Sequence, residues 1–97
     1  MPNEEDLMSA EECCAHYQIE LSFIQSLNEY GLIEINRIES TEFIQKDKLL
    51  ELEKFIHLHY DLDINFAGLD AINHLLERIK DLQHELTLLK SKMGETN

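Results

Sequence analysis

A chain of 97 residues has room for one domain and an appended helix, and it buries only about 60 to 65% of the surface its unfolded form exposes, so its core is small. Apolar content of 43%, with three Gly and one Pro, favours a helical globular protein over a disordered tail or a β-sandwich. The net charge of −12 is lopsided: residues 1–45 hold ten acids against the single base Arg37, whereas residues 46–97 hold ten acids against seven bases. A half so acidic repels a polyanion, and its natural partner is a basic protein surface.

Met1 to Met8 is expected to be loosely held, with Leu7 and Met8 available for a short lead-in strand or for packing before the first helix. The acidic opening MPNEEDLMS is the opposite of the basic start of a secretory leader, and no apolar run is long enough to span a bilayer. Cys13 and Cys14 are adjacent, poorly placed to bond each other, and the chain has no further Cys. A soluble, reduced, cytoplasmic protein is the expectation.

Ser9 and Glu12 form S-x-x-E, a capping box in which each side chain satisfies a backbone donor of the first turn. A helix is predicted from about Ala10 to Tyr17, with Ala10, Cys13, Cys14 and Tyr17 on one side. Gln18 and Ile19 make a turn. Glu20 to Tyr30 is the second helix, with Leu21, Ile24 and Leu27 every third residue, Phe23 and Tyr30 alongside, and Gly31 as its left-handed cap. Leu32, Ile33 and Ile35, then Phe43 and Ile44, read as two short strands around a turn at Glu39 to Thr41. Two short helices about a tight turn, followed by such a hairpin, make a helix-turn-helix with a wing.

In a DNA reader the second helix would enter the major groove, offering Ser22, Gln25, Ser26, Asn28 and Glu29. Gln and Asn can read adenine, but no Lys or Arg stands between Met1 and Asn36 to grip the phosphates. A solvated polar face is the plainer account of those residues. Arg37 can touch a phosphate or pair with Glu39 or Glu42 across the hairpin.

From about Lys46 to Leu62 the pattern is helical, with Leu49, Leu52, Ile56 and His59 on one stripe and Phe55, Leu58 and Leu62 on another. A helix apolar around so much of its circumference buries more than one face, within the fold or against a partner. Asp61, Asp63 and Asn65 interrupt it as a corner, and Phe66-Ala67-Gly68-Leu69 restarts it. Ile72, Leu75, Ile79, Leu82, Leu86, Leu89 and Met93 then alternate in steps of three and four, which is the seam of a coiled coil. Such a seam needs a facing surface, either a second copy in a homodimer or the chain's own domain. The predicted organisation is a winged unit over residues 1–70 and a heptad helix over 71–97.

No catalytic or cofactor-binding constellation stands out. His57 and His59 are two apart and point to different sides of one helix, and His74 and His84 fall on outer heptad positions. Cys13 and His16 make C-x-x-H, with nothing to complete a zinc site. Neither an enzyme nor a metal protein is expected.

The capped first helix, ELSFIQSLNEYGLIEI, the wing, the segment HLHYDLDINFAGLDAI from His57 to Ile72 and the leucine seam together resemble a MerR-type winged helix-turn-helix with its C-terminal dimerisation helix. Within that group the chain is most similar to the CbpM family of chaperone modulators, over roughly residues 8–93. The resemblance implies a mainly α fold with a two-stranded wing and a C-terminal coiled-coil helix. It also implies a function: members bind the J-domain of the DnaJ-like co-chaperone CbpA, blocking both its stimulation of DnaK and its own DNA binding. A J-domain presents a basic helix, to which an acidic competitor is steered. Phe55, His59, Tyr60, Asp61, Asp63 and Phe66 are the candidate docking residues. The rival readings are a small MerR-type transcriptional regulator that reads DNA through Ser22 to Asn28 as a dimer, and a dimeric adaptor for another basic protein.

Overall fold

The computed structural model describes residues 6–94. Expectations for residues 1–5 and 95–97, the loosely held N-terminus among them, lie outside the described residues. The elements run β1 (Leu7–Ser9), α1 (Ala10–Tyr17), α2 (Leu21–Glu29), β2 (Asn36–Ile38), β3 (Thr41–Gln45), α3 (Leu49–Ile56) and α4 (Phe66–Lys92), with a 3-10 turn over Lys46–Lys48 and a π-turn over His57–Asp61.

Ser9 caps α1 as predicted, its Oγ accepting the Glu12 N–H at 3.0 Å. The Glu12 carboxylate accepts the Ser9 hydroxyl at 3.1 Å, so the far half of the box closes on the side chain and not on the Ser9 backbone. Gln18 ends α1 in the left-handed conformation, and the Ile19 N–H reaches back to the Cys14 carbonyl. The tight reversal lays α2 against α1. Helix α2 buries Phe23, Ile24 and Leu27 and leaves Ser22, Gln25, Asn28 and Glu29 in solvent.

Gly31, at φ 73°, closes α2 with a Schellman motif: the Leu32 N–H bonds the Leu27 carbonyl at 2.9 Å and the Gly31 N–H bonds that of Asn28 at 3.0 Å. This geometry corrects the first predicted strand. Leu32 and Ile33 both spend their donors on the Leu27 carbonyl, so neither can join a ladder, and both sink into the core as part of the turn. The strand forms at Asn36–Ile38 instead, paired with β3 through a turn whose Glu39 and Ser40 both have positive φ, as a tight hairpin requires. The sheet also has three strands where two were expected. The lead-in segment becomes β1, antiparallel to β3 on its other side, with Met8 opposite Ile44.

The core lies between the helix pair, the sheet and α3, and its fully buried side chains include Cys13, Ile24, Leu27, Ile44, Leu52, Phe55 and Leu69. Tyr17 ties α1 to α3 by donating its hydroxyl to Glu53 Oε2 at 2.9 Å. The long helix predicted to Leu62 forms in three pieces, the 3-10 turn, α3 and the π-turn, and the corner falls at Asp63–Asn65 as expected. Asn65 caps α4, its Oδ1 accepting the Gly68 N–H at 2.8 Å.

Helix α4 starts in the body, where Leu69 is fully buried, and then leaves it. Ile72, Asn73 and Leu76 are half-buried, and every described residue from Glu77 onward is exposed. The radius of gyration of 16.8 Å exceeds the roughly 12 to 13 Å of a compact chain of this length because α4, about 40 Å long, projects from the body. The boundary drawn at residue 70 falls inside this one helix.

Candidate functional site

Where α2, the π-turn and the start of α4 meet, a groove of about 270 Å³ is lined by Glu20, Ser22, Phe23, Ser26, His59, Tyr60 and Phe66. Phe23 is its hub. This ring reaches up from the buried face of α2 to lie 4.9 Å from His59, 5.1 Å from Tyr60 and 5.7 Å from Phe66, centroid to centroid. Tyr30, the residue that caps the end of α2, stacks on Phe66 at 5.9 Å and extends the row. These separations are those of favourable aromatic pairs.

The π-turn makes the arrangement. It carries His59 and Tyr60, neighbours in sequence, and both lie against the same Phe23 ring. Single π-turns of this kind occur often at functional sites. His59 is held by its Nδ1–H, which donates to the Ile64 carbonyl at 2.8 Å and so clamps the corner that follows. The Ile64 N–H returns to the Leu58 carbonyl at 3.1 Å. The outer residues remain open: Tyr60 is 44% exposed and Tyr30 48%. At the lip, the Ser22 hydroxyl donates to the Glu20 carboxylate at 3.4 Å, and the lining holds no Lys or Arg.

Of the candidate docking residues, His59, Tyr60 and Phe66 therefore come together. Asp61 and Asp63 follow them on the exposed corner, Asp61 bonded to His57 Nδ1 at 2.7 Å and Asp63 with φ 57°. Phe55 is elsewhere: it is 1% exposed, a core residue whose ring faces away from solvent. The α2 contribution of Phe23, Tyr30, Glu20, Ser22 and Ser26 was not anticipated in the sequence. The signal was there, since Phe23 and Tyr30 are seven apart and share a helix face beside the Leu21, Ile24, Leu27 line.

The features that serve DNA binding are arranged differently. Arg37, the wing's base, pairs with Glu42 directly across the hairpin at 3.1 Å. The stripe on α4 is a second open surface: Ile72 is half-buried, and Leu75, Ile79, Leu82, Leu86, Leu89 and Met93 are all exposed and do not fold back on the body. Cys13 is buried, its thiol pushed up to about 11 by that burial first and then by Cys14 and Glu12, which keeps it protonated and unreactive at neutral pH. Among the described residues no group of three or more His, Cys, Asp or Glu is placed to hold a metal ion, and no helix is long and apolar enough to cross a membrane.

The chain matches the family described as MerR HTH family regulatory protein over residues 8–91. It is similar to the chaperone modulatory protein CbpM of Pseudomonas entomophila (strain L48), with 23% identity over 82 residues that cover 84% of this chain and 81% of that protein. No solved structure matches it. The matched span runs from β1 through the winged body to the last turn of α4, and the chain belongs to the MerR helix-turn-helix family.

Proposed function

We propose that this protein is a non-enzymatic, cytoplasmic chaperone modulator that inhibits a DnaJ-like co-chaperone of the CbpA type by binding its basic J-domain. One observation carries the reading: the helix-turn-helix face that a DNA reader would present holds an aromatic groove with an acidic lip, and the wing Arg is already paired with Glu42. A duplex is gripped by unpaired Lys and Arg at that face, whereas a basic helix is attracted by what stands there. The docking surface is His59, Tyr60 and Phe66 with the exposed carboxylates of Asp61 and Asp63. The division at residue 70 then separates a partner-binding unit from a helix that joins two copies into a homodimer through Ile72, Leu75, Ile79, Leu82, Leu86, Leu89 and Met93.

The test is calorimetric titration of the purified J-domain into this protein. Binding is expected to weaken as salt rises, and Asp61→Lys with Asp63→Lys is expected to lower affinity by about tenfold or more and flatten the salt dependence. Unchanged affinity in the double variant removes these two carboxylates as contacts. Membership of a family of regulators keeps a DNA-binding reading in view. Tight duplex binding at physiological salt, read by fluorescence anisotropy, would put that reading first.

A further inference from the structure

We propose that the groove between α2 and the π-turn is a socket for one cationic side chain, an arginine foremost, carried on the basic helix of the docked partner. The inference rests on the J-domain reading for its partner, and on the groove's own chemistry for its occupant. Phe23, His59 and Phe66 pack against one another as an aromatic cluster, with interplanar angles of 32°, 39° and 25°, and Phe23 is buried at its base. Tyr60 stands at 87° to His59 and makes a wall. A guanidinium laid against the exposed Tyr60 ring, which this cluster supports, meets the negative face of an aromatic ring, the geometry in which cations are held over aromatic side chains within about 6 Å. The lip supplies the polar complement: the hydroxyls of Ser22 and Ser26 can accept its N–H groups, and Glu20 is a counter-charge on the same edge.

Charge decides between occupants. No Lys or Arg lines the groove, so a carboxylate or phosphate would meet the Glu20 charge without a fixed cation to offset it, and a nucleobase stacked there would draw its phosphates toward Glu20. An aliphatic side chain would use the rings and waste the lip. A planar cation uses both. The fold already makes one such pairing internally, where Lys54 Nζ sits 5.1 Å over the Phe55 ring.

The first experiment needs no partner protein. N-acetyl-arginine methylamide is titrated to millimolar concentration while the ring resonances of Phe23, Tyr60 and Phe66 are followed by NMR, with the norleucine analogue as control. Selective shifts with the arginine compound are expected; equal shifts with both, or none, overturn the socket. The second experiment uses the J-domain. Tyr60→Leu is expected to weaken binding by about 3- to 30-fold, Tyr60→Phe to restore it, and the loss to vanish when one Lys or Arg of the J-domain's docking helix is replaced by Met. If every such Met replacement adds independently to Tyr60→Leu, the socket is wrong although the J-domain still binds. If the J-domain does not bind at all while the arginine compound does, the co-chaperone reading fails and the socket stands.

Discussion

Tyr17 shows how one side chain can hold two elements at once. Its phenol leaves the end of α1 half-buried and donates to Glu53 on α3, which spans 36 residues of sequence with one hydrogen bond. Burial first, then the bond to Glu53 and that carboxylate's charge, push the phenol up to about 12 from its usual 10. Because the folded value is the higher one, the contribution is complete below pH 10 and is lost as pH rises toward 12, where a phenolate would face Glu53. Tyr17→Phe is expected to cost about 0.5 to 1.5 kcal/mol at neutral pH. It should also remove the latest-titrating part of the absorbance rise at 295 nm in a pH titration. An unchanged titration would mean that the phenol does not hold this bond in solution.

At the scale of elements, the corner between the π-turn and α4 is the part whose geometry leaves least slack. A Cβ at Gly68 would stand 2.7 Å from Ile64 Cγ2 and 3.2 Å from Asn65 Oδ1, the same oxygen that caps α4. Replacing Gly by Ala gains about 1 kcal/mol of helix propensity. Against it stand about 1 kcal/mol from a disturbed cap and about 1 to 3 kcal/mol from crowding a β-branched methyl that cannot swing aside. Gly68→Ala is therefore expected to destabilise by about 1 to 3 kcal/mol and lower the melting temperature by roughly 4 to 24 °C, measured by circular dichroism. A melting temperature equal to or above that of the parent would show that Ile64 gives way. This corner also marks where sequence reasoning stopped. The capped α1, the Gly31 stop, the corner at Asp63–Asn65 and the restart at Phe66 were legible, because capping chemistry and apolar spacing are local. The role of Leu32 and Ile33 was not, since an apolar pair looks the same whether it lies in a strand or under a Schellman turn. Nor was the groove: it joins Phe23 on α2 to His59, Tyr60 and Phe66 more than thirty residues later, a contact that no local pattern signals. Phe55 is buried although its sequence context fits a docking face equally well, because a helix apolar on two sides does not say which side meets the core.

For the whole molecule, charge and apolar surface are separated in space, and the two kinds of association proposed for it should answer to salt in different ways. The acidic surplus sits on the winged body, whereas residues 71–94 carry three acids and four bases, so the projecting helix is nearly neutral. Six seam residues from Leu75 to Met93 are each about half exposed. Covering the remainder gives about 1 kcal/mol apiece, roughly twelve from two copies, against an association cost of about 4 to 15 kcal/mol. A dimer held by so narrow a margin has no reserve for a charge in its seam. Light scattering at tens of micromolar is expected to give twice the 11.4 kDa of one chain, and Leu82→Glu is expected to give the single mass with helix content and body fold retained, because Leu82 touches none of the core. Raising salt should leave the doubled mass in place, since it only screens repulsion between the two acidic bodies, while it loosens the basic partner. A parent chain that runs at the single mass in high salt would mean that the stripe on α4 meets something other than its own copy.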